Sequence, residues 1–411
     1  MKVRLDSIEQ AIADIRDGKA IVVVDDESRE NEGDIIFAAS KATPELMAFL
    51  VRYSSGLVCA PITGEILDRL GIPLMTPHNR EKMRTAYTIS IDSRDAITTG
   101  ISAADRAHTC RVLADSATEP FELVQPGHIL PLRAMPGGVL ERAGHTEAAV
   151  DFARLAGLTP AGVIGEVLHD DGTLMRAPAL RKFADKHDIA LVSIEDLQIY
   201  LRLHESQVDR LAETKLPTEF GEFWAFGFRD RIDKSEHIAL VHGEPGTENV
   251  LTRLHSECLT GDVFGSRRCD CGPQLQASMA AITAEGAGVI VYLRGHEGRG
   301  IGLLHKLQAY GLQDEGRDTV DANLDLGFGE DERDYAAGAQ MLRALGVTSV
   351  RLLTNNPGKT AALESYGVKV SERLPLHIEP TPDSLRYLQT KAERMGHDLP
   401  HLGLHPTEGP V

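Results

Sequence analysis

Three cysteines, Cys258, Cys269 and Cys271, fall within fourteen residues as C-x10-C-x-C. Thiolates at this spacing suit zinc, which takes cysteine sulfur in tetrahedral geometry. Arg253, His255, Glu257, Arg267 and Arg268 share the segment. The residues alone leave two chemistries open. A structural zinc ribbon wants four ligands, and His255 is a candidate for the fourth. Three protein ligands would instead leave a position for water, whose pKa a bound zinc lowers to about 7.

Two strand-to-helix turns follow. Arg294-Gly295-His296-Glu297-Gly298-Arg299-Gly300 combines glycines that admit an anion to the backbone with the planar donor fork of Arg299. Thr354-Asn355-Asn356-Pro357-Gly358-Lys359-Thr360 places Lys359 at a helix start, where amides and dipole favour phosphate. Either turn alone reads equally well as an ordinary capped turn. Asp331-Glu332-Arg333-Asp334-Tyr335 alone reads as a solvated charge run.

The N-terminal half carries a different chemistry. Six carboxylates fall between Asp25 and Asp34, and Gln125-Pro126-Gly127-His128 and Arg142-Ala143-Gly144-His145-Thr146-Glu147 lie further along. Arg142 to Thr146 offers a phosphate fork, a small residue, a metal ligand and a hydroxyl. Carboxylates with one histidine suit a hard divalent ion such as Mg2+ or Mn2+. Cys59 sits in an apolar run and reads as core.

The elements that must position these groups alternate. Asp6-Ser7 caps a helix with Ile8, Ile12 and Ile15 on one face and Gly18 as its stop. Ile21–Val24 and Ile35–Phe37 are short strands flanking the acidic segment. Val289–Leu293 leads to a glycine-rich turn and a helix from about Leu303, and Val350–Leu353 to a helix ending near Gly367. Interleaved strands and helices predict an α/β (α+β type) architecture, with each domain a layered α/β/α sandwich around a mixed sheet. A helix over 195–204, the polar stretch Glu205 to Lys215 and the breaker Pro217 place the domain boundary between 200 and 217.

The 411 residues exceed one ordinary core, and 42% hydrophobic with 25% charged residues is globular composition. A net charge of -18 argues against a nucleic-acid partner and requires any anion site to concentrate its cations locally. Met1 to Asp6 shows no apolar signal region and no run approaches a bilayer span, so no membrane role is expected. Five cysteines, three of them clustered, point to a reducing, cytoplasmic setting.

Taken together, five C-terminal stretches resemble GTP cyclohydrolase II over nearly all of residues 205–400. They are Arg253–Cys258, Arg267-Arg268-Cys269-Asp270-Cys271-Gly272, Glu297–Leu303, Asp318-Thr319-Val320-Asp321-Ala322-Asn323 and Leu353-Thr354-Asn355-Asn356-Pro357. The resemblance implies a catalytic zinc on Cys258, Cys269 and Cys271 whose water attacks carbon 8 of guanine. It implies GTP contacts from Arg253, Leu254, His255, Ser256, Glu257, Gln274, Glu297, Gly298, Arg299, Thr319, Thr354 and Lys359, with Mg2+ escorting the triphosphate. Asp331 is implied as general base and Arg333 as the group acting at the α-phosphorus. A guanidinium stays protonated, so charge stabilisation is the role its chemistry favours. The pattern departs at Arg317, where many relatives carry tyrosine.

Residues 1–203 resemble 3,4-dihydroxy-2-butanone 4-phosphate synthase, with further matches at Thr98–Arg106 and Pro136–Leu140. Glu30 and His145 are then implied as Mg2+ or Mn2+ ligands. Arg29, Glu30, Asp34, Arg142, Ala143, Gly144, His145, Thr146 and Glu166 are implied contacts of D-ribulose 5-phosphate, and His128 and Glu166 are implied catalytic residues. A dimetal site bridging the ketone and the adjacent hydroxyl acidifies a proton α to the ketone, and nearby carboxylates shuttle it. The expectation is a bifunctional riboflavin-pathway enzyme, with domains 1–203 and 204–411, working as a homodimer. The rivals are one active half with the other as scaffold, and a zinc-dependent GTP-sensing module.

Overall fold

The computed structural model describes residues 3–399, apart from Glu330 and Glu332, together with Leu402. Glu332 of the expected 331–335 motif and the final residues of the expected second domain thus lie outside the described residues. The chain divides into two compact units, Met1–Leu201 and Arg202–Val411, each built on a seven-stranded mixed sheet with helices on both faces.

In the first unit Ile21–Val24 forms β1, and Gly33–Ala38 forms β2 antiparallel to it. Both are buried throughout. Val22, Val24, Ile35 and Phe37 pack on one face, while Ile21, Val23, Ile36 and Ala38 pack on the other. A strand covered on both sides is a continuous apolar run, which is the signal the sequence carries. With β3 (Cys59–Thr63), β4 (Ile91–Ser93), β5 (Leu123–Ala134), β6 (Gly162–Glu166) and β7 (Leu191–Ser193), the order is β4-β5-β3-β6-β2-β1-β7. The first helix, Ile8–Arg16, begins at Ser7, whose hydroxyl accepts from Gln10 N.

The second unit orders its strands β14-β13-β11-β12-β10-β9-β8. They are β8 (Val208–Thr218), β9 (Gly221–Asp230), β10 (Glu236–His242), β11 (Val250–Ser256), β12 (Gly288–Leu293), β13 (Ser349–Leu353) and β14 (Lys369–Leu374). Strands β11 to β14 pair in parallel and β8 to β10 pair antiparallel. Helix Cys271–Glu285 packs Met279 and Ile282 with Ile290 on one face. Helix Ala336–Ala344 packs Ala339 and Leu342 with Val289, Val291 and Leu293 on the other. The chain leaves β11 for β12 on one side, then crosses back to β13 on the other. Such a switch opens a crevice beyond the carboxyl ends of the strands, where open α/β sheets bind ligands.

One expectation fails. The stretch Glu205 to Lys215 with Pro217 is not a polar connector: most of it is β8, paired with β9 from Val208↔Asp230 to Thr218↔Gly221. Eight of its residues in succession, 210–217, are solvent-exposed, so it carries no alternating apolar signal. Pro217 is tolerated because β8 is an edge strand with a single ladder.

Candidate active sites

The crevice at the ends of β11, β12 and β13 is a cleft of about 1030 Å³, part of it open to solvent. Cys258 follows β11, and Cys269 and Cys271 flank the start of helix Cys271–Glu285. Their sulfurs lie within 4.8 Å of one another, with Cys258 Sγ and Cys269 Sγ 3.7 Å apart. Zinc–sulfur bonds of about 2.3 Å at tetrahedral angles space two sulfurs roughly 3.8 Å apart, so the donor set and its spacing fit zinc. Gly261 leaves room for this cluster: a Cβ there would sit 2.9 Å from Cys269 Sγ.

His255 does not complete the thiolate set. Its Nε2 lies 3.0 Å from Asp262 Oδ2, which also accepts from Tyr292 Oη (2.8 Å) and Cys258 N (3.0 Å). Among the described residues the cluster therefore holds three protein ligands, not four. Lys306 Nζ donates to Cys258 Sγ (3.1 Å) and Thr260 Oγ1 (2.9 Å) and pairs with Glu297. Hydrogen bonds from the Cys269 and Cys271 thiols, with this ammonium, pull the Cys258 thiol far below its ordinary range.

The residues expected to hold GTP line this cleft, with one exception. Arg253 donates to Leu353 O (2.9 Å) and Gln274 Oε1 (2.6 Å), and Gln274 Nε2 donates to Asp270 Oδ2 (2.6 Å). Ser256 Oγ lies 3.1 Å from His296 Nδ1, and Glu257 accepts from Gly295 N (2.9 Å). Glu297 accepts from Leu259 N (2.6 Å), joining the β12 turn to the cysteine loop. That turn explains its glycines: Gly298, Gly300 and Gly302 all have positive φ, as does the buried Arg299 at φ 69°. Thr319 opens helix Thr319–Asp325, and Thr354 Oγ1 accepts from Asn356 N (3.1 Å). Leu254 is the exception. Its side chain packs in the core, and only its carbonyl, which accepts from Lys359 Nζ (2.8 Å), takes part.

The expected helix-start anion site is also modified: Asn356 Oδ1 accepts from Gly358 N (2.9 Å), and Lys359 points back to Leu254 O. Asp331 and Arg333 form a pair, with Arg333 Nε donating to Asp331 Oδ1 (2.7 Å). Burial would raise the Asp331 carboxyl, but Arg333 holds it below its usual range. Burial and the charges of Arg333 and Lys359 push His296 down to about 3. Lys306, Tyr387, Lys391 and His397 also line the cleft and were not expected from the sequence.

In the first unit the loop between β1 and β2 is shaped by Asp25, which accepts from Glu30 N (2.9 Å) and Glu32 N (2.8 Å). His145 opens helix His145–Leu155; its Nε2 lies 3.1 Å from Val23 O. That acceptor assigns one proton to Nε2, and Nδ1, 3.8 Å from Glu30 Oε2, faces the carboxylates, where a metal would displace its second proton. Asp25, Glu30 and His145 form one set of potential metal ligands, and Glu32, Asp34 and His145 a second. An imidazole nitrogen among hard carboxylate oxygens fits Mg2+ or Mn2+. Contact with His145 holds Glu30 down to about 2, while burial pushes Glu32 and Asp34 up to about 7. Burial opposes the His145 charge, yet Asp34 and Glu30 raise its pKa to about 9.

Arg29 pairs with Asp25 and Glu30, and Glu166, opposite Asp34 across the sheet, accepts from Ser55 Oγ (2.6 Å). Arg142 is bound to Glu147 (2.7 Å) and Thr85 (3.1 Å). Gly144 lets this guanidinium lie close to the backbone, since a Cβ would sit 2.3 Å from Arg142 Nη1 and displace it. Ala143 is half-buried and Thr146 buried next to His145. Cys59 is core, its thiol pushed up to about 12 by burial. His128 stands apart. Its Nδ1 lies 2.6 Å from Asp92 Oδ2 on β4, and its strand, β5, is three places from β2, roughly 14 Å at the usual strand spacing.

Comparison with known proteins matches residues 9–200 to 3,4-dihydroxy-2-butanone 4-phosphate synthase and residues 209–375 to GTP cyclohydrolase II. The riboflavin biosynthesis protein RibBA of Nocardia farcinica is 61% identical over 399 residues, spanning 96% of both chains. That of Salinispora arenicola is 59% identical over 394 residues, spanning 96% of this chain and 94% of its own. RibBX, a two-domain 3,4-dihydroxy-2-butanone 4-phosphate synthase from A. baumannii, has a similar solved structure. Its TM-score is 0.67 at 35% identity, covering 91% of this chain and 100% of that one.

Proposed function

Since the chain belongs to the RibBA family of bifunctional riboflavin biosynthesis enzymes, a 3,4-dihydroxy-2-butanone 4-phosphate synthase joined to a GTP cyclohydrolase II, we propose how its two sites divide the work. Residues 204–411 hydrolyse GTP to 2,5-diamino-6-(5-phosphoribosylamino)pyrimidin-4-one, formate and pyrophosphate. Residues 1–203 convert D-ribulose 5-phosphate to 3,4-dihydroxy-2-butanone 4-phosphate and formate.

The observation that carries the first assignment is a three-thiolate cluster opening on a cationic cleft in an otherwise acidic protein. Cys258, Cys269 and Cys271 would hold Zn2+, which supplies Lewis acidity and an acidified water to the guanine ring. Lys359 is buried, and among the described residues no carboxylate pairs with it, so the triphosphate, with its Mg2+, is its counter-charge. Arg333, its proton held by Asp331 despite burial, stabilises charge at the α-phosphorus rather than attacking it. Asp331 accepts a proton only when substrate draws Arg333 away, since that arginine occupies the carboxylate.

In the first unit Glu30 and His145 would hold Mg2+ or Mn2+, which polarises the ketone of the sugar. Glu32 and Asp34, grouped with His145 at the same site, would take and return the proton beside it. Arg29 and Arg142 to Thr146 bind the substrate, and Glu166 works beside Asp34. The distance of His128 from this cluster supports a homodimer in which a second copy completes the site. Exposed Val263, Phe264 and Leu304 support association in the second unit as well. Five free cysteines agree with a cytoplasmic setting, and no described helix is long and apolar enough to cross a membrane. Mass spectrometry of products from GTP and from ribulose 5-phosphate, with one purified sample, tests both assignments. Absence of either product overturns the corresponding one.

A further inference from the structure

Residues 376–399 lie beyond the stretch matched to GTP cyclohydrolase II, yet they bring Tyr387, Lys391 and His397 to the cleft. The segment is fastened at both ends. Leu376 exchanges two hydrogen bonds with the Asn355 side chain, each 2.8 Å, and Asp398 N donates to Asn355 O (3.1 Å). Between them, Asp383 pairs with Arg267 (2.7 Å), and Arg394 pairs with Asp318 and Asp321 on helix Thr319–Asp325.

The centre of the segment reaches the side chains assigned to GTP indirectly. Lys391 Nζ donates to Asp270 Oδ1 (2.7 Å) and sits 4.4 Å from the centre of the Tyr387 ring. Both members of the ion pair are buried, 10% and 4% exposed in their side chains. Asp270 Oδ2 in turn accepts from Gln274 Nε2, whose Oε1 accepts from Arg253. An amide placed between a carboxylate and a guanidinium has one orientation only, because neither partner can exchange roles. Lys391 thus neutralises the carboxylate that sets which way Gln274 and Arg253 face the cleft.

We propose that Lys391, on the C-terminal segment, is a positioning residue for GTP, acting through Asp270 on Gln274 and Arg253. This rests on the assignment of the cleft as the GTP site. The test uses the full chain with Lys391→Met, Lys391→Arg and the double variant Lys391→Met with Asp270→Asn. GTP affinity is read by calorimetry on zinc-depleted protein, and KM and kcat by formate release on the loaded enzyme. Lys391→Met should raise both Kd and KM for GTP by about tenfold or more, with a smaller fall in kcat. Zinc content and ribulose 5-phosphate turnover should stay at wild-type levels, Lys391→Arg should recover most of the affinity, and the double variant should bind GTP better than Lys391→Met alone. Unchanged GTP affinity in Lys391→Met overturns the proposal while leaving the site assignment intact. Loss of zinc in that variant also overturns it, since the segment would then hold the metal loop and not the substrate contacts. Wild-type protein that neither binds nor hydrolyses GTP overturns the site assignment and the proposal with it.

Discussion

Replacing Lys359 by Met should make the second unit more stable and its GTP site worse. Lys359 is 5% exposed, and its Nζ donates to the Leu254 carbonyl at 2.8 Å. Burial, with the charges of Arg253, Arg333 and Lys391, sets its pKa well below the ordinary 10.5. Folding thus costs Lys359 either a buried charge or its proton, and replacing buried ionic groups by apolar chains of similar volume gains about 1–4 kcal/mol. Leaving Leu254 O without its donor costs about 1 kcal/mol. The net gain, up to about 3 kcal/mol, raises the melting temperature of a unit this size by up to about 12 °C. Losing a charged hydrogen bond to phosphate costs about 1.5–3 kcal/mol, or about 10- to 150-fold in GTP affinity. The pH dependence follows from the same depressed pKa. Between the folded value and 10.5 the unfolded chain binds more protons, so stability rises with pH across that window. GTP returns the proton to Lys359, so binding weakens as pH rises, and the variant loses both slopes. Scanning calorimetry and GTP titrations in buffers of different ionisation enthalpy measure these effects. A Lys359→Met protein with a lower melting temperature and unchanged GTP affinity would refute the reasoning.

Cys269→Ser should strip zinc and abolish formate release from GTP, since two thiolates hold the ion far less well than three, while ribulose 5-phosphate turnover persists. Full GTP activity in that zinc-free protein would sink the catalytic-metal reading. Glu30→Ala or His145→Ala should remove the divalent-dependent synthase activity and spare formate release from GTP, both followed by product mass. Arg317→Ala should leave GTP turnover within about twofold, because a surface charge pair is worth little. Its Nε lies 2.7 Å from Asp325, its side chain is 55% exposed, and it does not line the cleft. A wild-type or variant product that retains the formyl group would count against this.

Strands buried on both faces were legible from their runs of branched residues, as at Ile21–Val24 and Val289–Leu293. The edge strand β8 was not, because a strand wet on both sides presents no period and its proline reads as a breaker. Motifs also named His128 without showing its neighbours. Sequence spacing carries no information about strand order, and β5 lies three strands from the acidic loop.

The cations of the cleft were illegible for a different reason. Helix Leu303–Asp314 buries Lys306 to 8% exposure and leaves Leu304 74% and Leu307 49% exposed. Amphipathic reasoning assigns those residues the opposite faces, because it assumes that water is the only solvent for charge. Lys306 is solvated instead by Glu297 and the Cys258 sulfur, and Lys391 by Asp270, 121 residues away. Thiolates that share one ion can cluster in sequence, so their spacing is readable. A lysine that neutralises a distant carboxylate has no such spacing, and only the fold brings the two together. The residues hardest to find from sequence are therefore those that set the electrostatics of the cleft, and the charge of -18 gives only the demand that they exist.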